Sequence, residues 1–166
     1  MKPDQSLECI IVKHEEFEKY QDDLILLLTK LGTEEGQYIT DPRITRNEIH
    51  DVSPEAARNM IIDGYKSRWH LLYYADGVPV AMLVGSPGGK DYAANLYYLY
   101  IEPEYRKQGL GTIMLDWFFD NLEKISEATT IILGAMVNNR VVVDWYEKYG
   151  FKPYHVSMAA PIRRDK

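Results

Sequence analysis

Apolar residues at helical spacing, Phe17, Tyr20, Leu24, Leu27, Leu28 and Leu31, predict an amphipathic helix from Glu15 that Gly32 ends. Before it, Leu7 to Lys13 carries Cys9, Ile10, Ile11 and Val12 and reads as a strand. Thr33 to Val52 is polar and irregular and reads as a long loop of the kind that shapes binding sites. Ser53 is then an N-cap, with Pro54 at the first helical position of a helix running to about Lys66.

Strand patterns follow. Trp69 to Ala75 and Val78 to Gly85 flank the hairpin turn Asp76-Gly77, and Ala94 to Ile101 is a Tyr-rich strand closed by Pro103. Leu110 to Ile125 is a helix with Ile113, Met114, Trp117, Phe118, Leu122 and Ile125 on its apolar side. Thr129 to Val137 reads as a strand, Asn139 to Tyr149 as a helix stopped by Gly150, and Phe151 to Ile162 as a final extended element. The order β-α-α-β-β-β-α-β-α-β predicts an α/β fold: a mixed sheet with helices on both faces.

The chain of 166 residues fits one domain, 1–166. Lys and Arg number 19 against 25 Asp and Glu, so a net charge of −6 disfavours nucleic acid as a partner. The same sign suits a cationic partner as well as simple solubility. Cys9 is the one cysteine, which excludes an intrachain disulfide and suits a reducing compartment; its apolar neighbours predict a buried small side chain. No signal peptide or membrane span is read, so a cytoplasmic protein is expected. His14, His50, His70 and His155 lack zinc-type spacing, and no metal is expected.

The chemistry is carried by Leu99-Tyr100-Ile101-Glu102-Pro103-Glu104-Tyr105-Arg106-Lys107-Gln108-Gly109-Leu110-Gly111-Thr112. A strand ends, a short loop holds two glycines, and a helix begins whose first amides lack intrahelical acceptors. Such a terminus suits a phosphate or pyrophosphate. It is neither a Walker A loop nor a dinucleotide fingerprint, because Gly85 to Lys90 is one residue short of the first and Gly109-x-Gly111 lacks the third glycine of the second.

Arg106-Lys107-Gln108-Gly109-Leu110-Gly111 resembles motif A, Arg/Gln-x-x-Gly-x-Gly/Ala, of the GNAT superfamily of N-acetyltransferases. The stretch from Asn139 through Tyr146-Glu147-Lys148-Tyr149-Gly150-Phe151 resembles its motif B. The resemblance implies a mostly antiparallel sheet with a splayed central strand pair. It also implies acetyl-CoA as acyl donor, its pyrophosphate on the backbone of Arg106, Lys107, Gln108, Gly109, Leu110, Gly111 and Thr112. The pantetheine arm would pair with backbone near Leu99 and Ile101, Asn139 would serve the arm or cap its helix, and Tyr146 would protonate the departing thiolate.

The base is less plain. Asn95 and Gly134 stand where two branches of the family carry a glutamate, which disfavours histone-lysine and ribosomal N-terminal acetylation. A water relay, with Tyr97 and Tyr98 as candidates to hold the water, ranks first and Glu102 second. The expected acceptor is a small-molecule or peptidic amine, with Glu34, Glu35, Tyr38, Asp41, Glu48 and Asp51 as candidates to bind a cation and His50 nearby. A homodimer through the Tyr-rich strand and the C-terminal segment is a further expectation. The alternatives are a catalytically silent CoA-binding module and an unrelated nucleotide-binding α/β domain.

Overall fold

The computed structural model describes residues 6–50 and 53–162. Five strands form one sheet in the order β1 (Leu7–Val12), β2 (Trp69–Ala75), β3 (Val78–Ser86), β4 (Ala94–Ile101) and β5 (Ile131–Leu133). The first three pairings are antiparallel and β4 runs parallel to β5. The helices are α1 (Phe17–Gly36), α2 (Arg46–Ile49), α3 (Pro54–Ile62), α4 (Leu110–Ile125) and α5 (Arg140–Tyr149).

Side chains of the central strands alternate between two cores, as strand geometry requires. Leu71, Ala81 and Leu83 pack with Met114, Leu115, Phe118 and Leu122 of α4 and with Tyr146 of α5. Leu72, Met82 and Val84 pack with Leu24, Leu27 and Leu28 of α1 and with Ala57 and Ile61 of α3. Helices therefore cover both faces, as expected. Gly85 has no side chain because one has no room: a Cβ would stand 2.6 Å from the Phe118 ring.

The alternation breaks twice. Between β2 and β3, Tyr73 faces Ala81 and Tyr74 faces Pro79, so Val80 is an extra residue, and Val80 and Ala81 both join the α4-side core. The second break lies in β4. Opposite β3, Gly85 faces Leu96 and Val84 faces Tyr98, which leaves Tyr97 as the extra residue of a bulge. Leu96 belongs to the α4 side and Tyr98 to the α1 side, although both are even-numbered. The bulge has changed the phase of the strand.

β4 and β5 pair only over Ala94–Leu96 and Ile131–Leu133, and beyond Leu96 they separate. This is the splayed pair. The Glu102 amide donates to the Val80 carbonyl at 2.8 Å, on the β3 side. By alternation the main-chain groups of Leu99 and Ile101 turn the other way, into the gap.

Several boundaries differ from those the sequence predicts. Gly32 does not end α1; it is buried within it, and the helix runs another turn to Gly36, with the Thr33 hydroxyl donating to the Thr29 carbonyl at 2.9 Å. The expected loop thus holds the end of α1 and the single turn α2; Asp51 and Val52 lie outside the described residues. Ser53 caps α3 as expected, accepting from the Ala56 amide at 3.1 Å, but the helix stops at Ile62 and Gly64 turns the chain at φ 65°. On α4, Ile113 and Ile125 are exposed rather than buried.

β5 is three residues long, not nine, because β4 offers it only three partners. Phe151 to Ile162 forms no strand: it has no ladder neighbour, and Tyr154, Val156 and Met158 are exposed. The last β of the expected order is therefore missing among the described residues. Cys9 is exposed, because β1 is an edge strand.

Candidate active site

The cradle begins where β4 gives way to α4. Lys107 (φ 60°) and Gly109 (φ 87°) both adopt left-handed backbone, and Gly109 caps α4. Its carbonyl accepts from Ile113, so the amides of Leu110, Gly111 and Thr112 precede the first intrahelical donor and face outward unsatisfied. At Gly111 an added Cβ would lie 3.1 Å from Trp145 and 3.4 Å from Ile101, so a bare backbone is what fits between β4 and α5. These features fit a diphosphate laid on the helix terminus.

Two of the expected donors are otherwise engaged. The Arg106 amide donates to the Pro103 carbonyl at 3.3 Å and so is not a free donor of this loop. The Arg106 guanidinium faces away from any ligand on the loop. Its Nε donates to the Ile101 carbonyl at 2.7 Å, and Nη1 and Nη2 fork onto Glu34 at 2.8 and 2.6 Å. One lone pair of the Ile101 carbonyl is thereby taken, while its N–H turns into the gap. Gln108 donates to the Glu104 carbonyl at 2.9 Å and stiffens the loop.

A cleft of about 1860 Å³ runs from the β4–β5 gap toward the end of α1. Gly32, Glu35, Tyr38, Tyr97, Tyr98 and His50 form one wall; Leu133, Gly134, Asn138 and Tyr146 belong to the other. Asn138 Nδ2 donates to the Tyr38 carbonyl at 3.1 Å and ties the walls together. Gly134 leaves open space, with nothing within 4 Å of an added Cβ.

Tyr146 sits on the buried face of α5, edge-on to Phe151 at 5.6 Å. Its hydroxyl has no hydrogen-bond partner among the described residues. Burial, with a smaller contribution from the Glu35 charge, raises its pKa well above the ordinary phenol value, so it stands protonated in the cleft. Asn139 Oδ1 caps α5 by accepting from Val142 at 3.4 Å, while its amide NH₂ has no acceptor among the described residues. The capping and ligand-binding readings of Asn139 are thus compatible.

Glu102 lies elsewhere. Its carboxylate is ion-paired with Lys30 and accepts from the Tyr100 hydroxyl at 3.2 Å, beside α1 rather than among the cleft-lining residues. Burial first, then the Glu102 charge and hydrogen bond, push Tyr100 up to about 12. Sequence reasoning also missed the role of the last turn of α1. With the helix expected to stop at Gly32, the placements of Glu34 and Glu35 were illegible.

A family model described as the acetyltransferase (GNAT) family matches residues 37–151. The chain belongs to the GNAT family. Among curated relatives, the [ribosomal protein bS18]-alanine N-acetyltransferase of Escherichia coli (strain K12) is 36% identical over 72 residues, 43% of this chain and 44% of that protein. The aligned segment thus spans less than half of that relative. Two solved GNAT-like structures share the fold. The PaiA N-acetyltransferase of Thermoplasma acidophilum, in complex with coenzyme A, has a TM-score of 0.65 at 20% identity, covering 92% of this chain and 93% of that one. The ribosomal-protein-alanine N-acetyltransferase of Brucella melitensis biovar Abortus 2308 has a TM-score of 0.62 at 14% identity, covering 95% and 100%.

Proposed function

We propose that this GNAT chain transfers an acetyl group from acetyl-CoA to a primary amine by direct attack in a ternary complex. One observation carries the reading: the unsatisfied amides at the start of α4 lie at the end of a splayed strand whose gap opens onto Tyr146. Lys107 to Thr112 would hold the diphosphate, Leu99 and the Ile101 N–H the extended arm, and a main-chain donor in the gap would stabilise the developing oxyanion.

Tyr146 returns a proton to the thiolate. The burial that weakens it as an acid raises the proton affinity of a thiolate formed in the same cleft, so the two effects oppose each other. Tyr38, Tyr97 and Tyr98 with Glu35 give the acceptor side an aromatic and acidic lining that suits a cationic amine, small or peptidic. The E. coli relative's name records one such acceptor, the alanine of a ribosomal protein. The lone Cys9 suits a reducing, cytoplasmic setting.

The test is release of free CoA from acetyl-CoA across spermidine, tyramine, kanamycin and an Ala-initiated peptide. CoA release with at least one amine is expected. Tight acetyl-CoA binding without release from any of them overturns the reading in favour of a silent CoA-binding module.

A further inference from the structure

The two consecutive glutamates at the end of α1 point in different directions. A helix turns about 100° per residue, so Glu34 reaches Arg106 beside the cofactor loop while Glu35 reaches into the cleft. Four carboxylates line that cleft, and three are committed or remote. Asp41 is held by Arg43 at 2.6 Å and sits at the exposed end. Glu147 lies 3.8 Å from Arg140. Glu123 is exposed on α4. Glu35 is half-buried, and among the described residues no arginine or lysine pairs with it.

Besides the adjacent Glu34, its charged-type neighbour is His50, whose Nε2 lies 3.5 Å from Glu35 Oε2 and 3.1 Å from the Gly32 carbonyl. A carbonyl only accepts, so Nε2 donates its hydrogen to Gly32, and this anchors the ring, from the chain after α2, beside the Glu35 carboxylate. We propose that Glu35, oriented by His50, is the group that takes the proton from the acceptor ammonium. This rests on the acetyltransferase reading above. It places the acid on α1, rather than at Asn95 on β4 or at Gly134 on the opposite wall of the cleft, the positions where two branches of the family carry theirs.

The balance is simple. The ammonium gives one proton to the Glu35 carboxylate, which passes it to solvent through the open cleft. The free amine attacks the thioester carbon, the C–N bond forms and the C–S bond breaks. One of the two N–H protons on the attacking nitrogen then leaves as the thiolate takes the Tyr146 proton; it returns through water to the Tyr146 phenolate, and the other stays in the amide. The products are amide, CoA thiol and one proton.

Burial holds the Glu35 carboxyl above the ordinary carboxylate range; the His50 charge opposes this and Glu34 adds to it. A weaker acid is a better base near neutral pH. The groups facing Glu35 are Glu34 on α1, His50 after α2, Tyr98 on β4 and Tyr146 on α5.

The experiment compares pH profiles of kcat/KM for the best amine of the panel in the wild-type protein, Glu35→Gln, Glu35→Asp and Glu102→Gln. Glu35→Gln is expected to lose about 100-fold or more, keep the KM for acetyl-CoA, and lose the acid limb of the profile. Glu35→Asp retains the limb at reduced rate, and Glu102→Gln retains the limb as well. A Glu35→Gln profile that coincides with wild type overturns the proposal while leaving acetyl transfer intact. So does a Glu35→Asp protein without an acid limb, which serves if Glu35→Gln does not fold. Failure of the wild-type protein to turn over any amine overturns the underlying reading, and this proposal with it.

Discussion

Arg106 and Glu34 join the glycine loop before α4 to the last turn of α1 through two parallel hydrogen bonds of 2.8 and 2.6 Å. The pair spans 72 residues of sequence and links the helix that presents Glu35 to the loop that offers its amides. It also stacks near Tyr100, with the guanidinium carbon 5.6 Å from the ring centre.

Replacing Arg106 by lysine is therefore expected to behave as a loss, because an ammonium cannot fork onto a carboxylate and hold the Ile101 carbonyl together. The pair is partly solvated, so the stability cost is about 1 kcal/mol. Urea unfolding measures that cost, and calorimetry should show weaker acetyl-CoA binding because the loop has lost its anchor. Unchanged affinity would show that the loop holds its shape alone.

Tyr146→Phe should lower kcat about 100-fold, in the range of a lost general acid, and leave the acetyl-CoA dissociation constant within about twofold. Binding and kcat falling together would mark the side chain as packing only.

Gly109 holds a left-handed backbone at the cap of α4. An alanine there costs roughly 1 kcal/mol, with no clash to blame, since a Cβ meets nothing within 4 Å. Gly109→Ala should thus lower the melting temperature modestly and weaken acetyl-CoA binding more than stability. Gly111→Val acts differently: its bulk meets Trp145, and the loss should appear in binding first.

His70 is buried against Phe17, at 5.3 Å between rings, and neither ring nitrogen has a hydrogen-bond partner among the described residues. Burial, with Arg68 and His14 adding to it, lowers its pKa to about 4 from 6.5. The unfolded chain takes a proton there below about 6.5 and the folded chain only near 4, so stability present above 6.5 is lost as the pH falls through that window. The loss is on the order of 3 kcal/mol over the whole interval. Melting temperatures from pH 7 to 4 check this, and His70→Leu should flatten that part of the curve. An equally steep curve in the variant would assign the effect to other groups.

Much of this was legible in the sequence because it depends on local rules. The glycines of the loop before α4, the proline ending β4 and the Asn139 cap declare themselves by residue type and spacing. The splayed pair followed only from the family resemblance. What stayed hidden depends on tertiary contacts. Gly32 reads as a helix stop, yet it lies buried inside α1 and its carbonyl receives His50. Glu102 reads as free beside the motif, yet Lys30, 72 residues away, claims it. The terminal strand fails because alternation alone supplies no neighbour to pair with.

The bulge at Tyr97 makes β4 behave like a reading frame. Everything after it is written in the opposite phase from everything before it, and that phase decides which side chains meet α4 and which meet α1. Deleting that one residue would not shorten a strand locally. It would transpose Tyr98, Leu99, Tyr100 and Ile101 between the two halves of the protein at once, much as a lost nucleotide garbles every codon downstream.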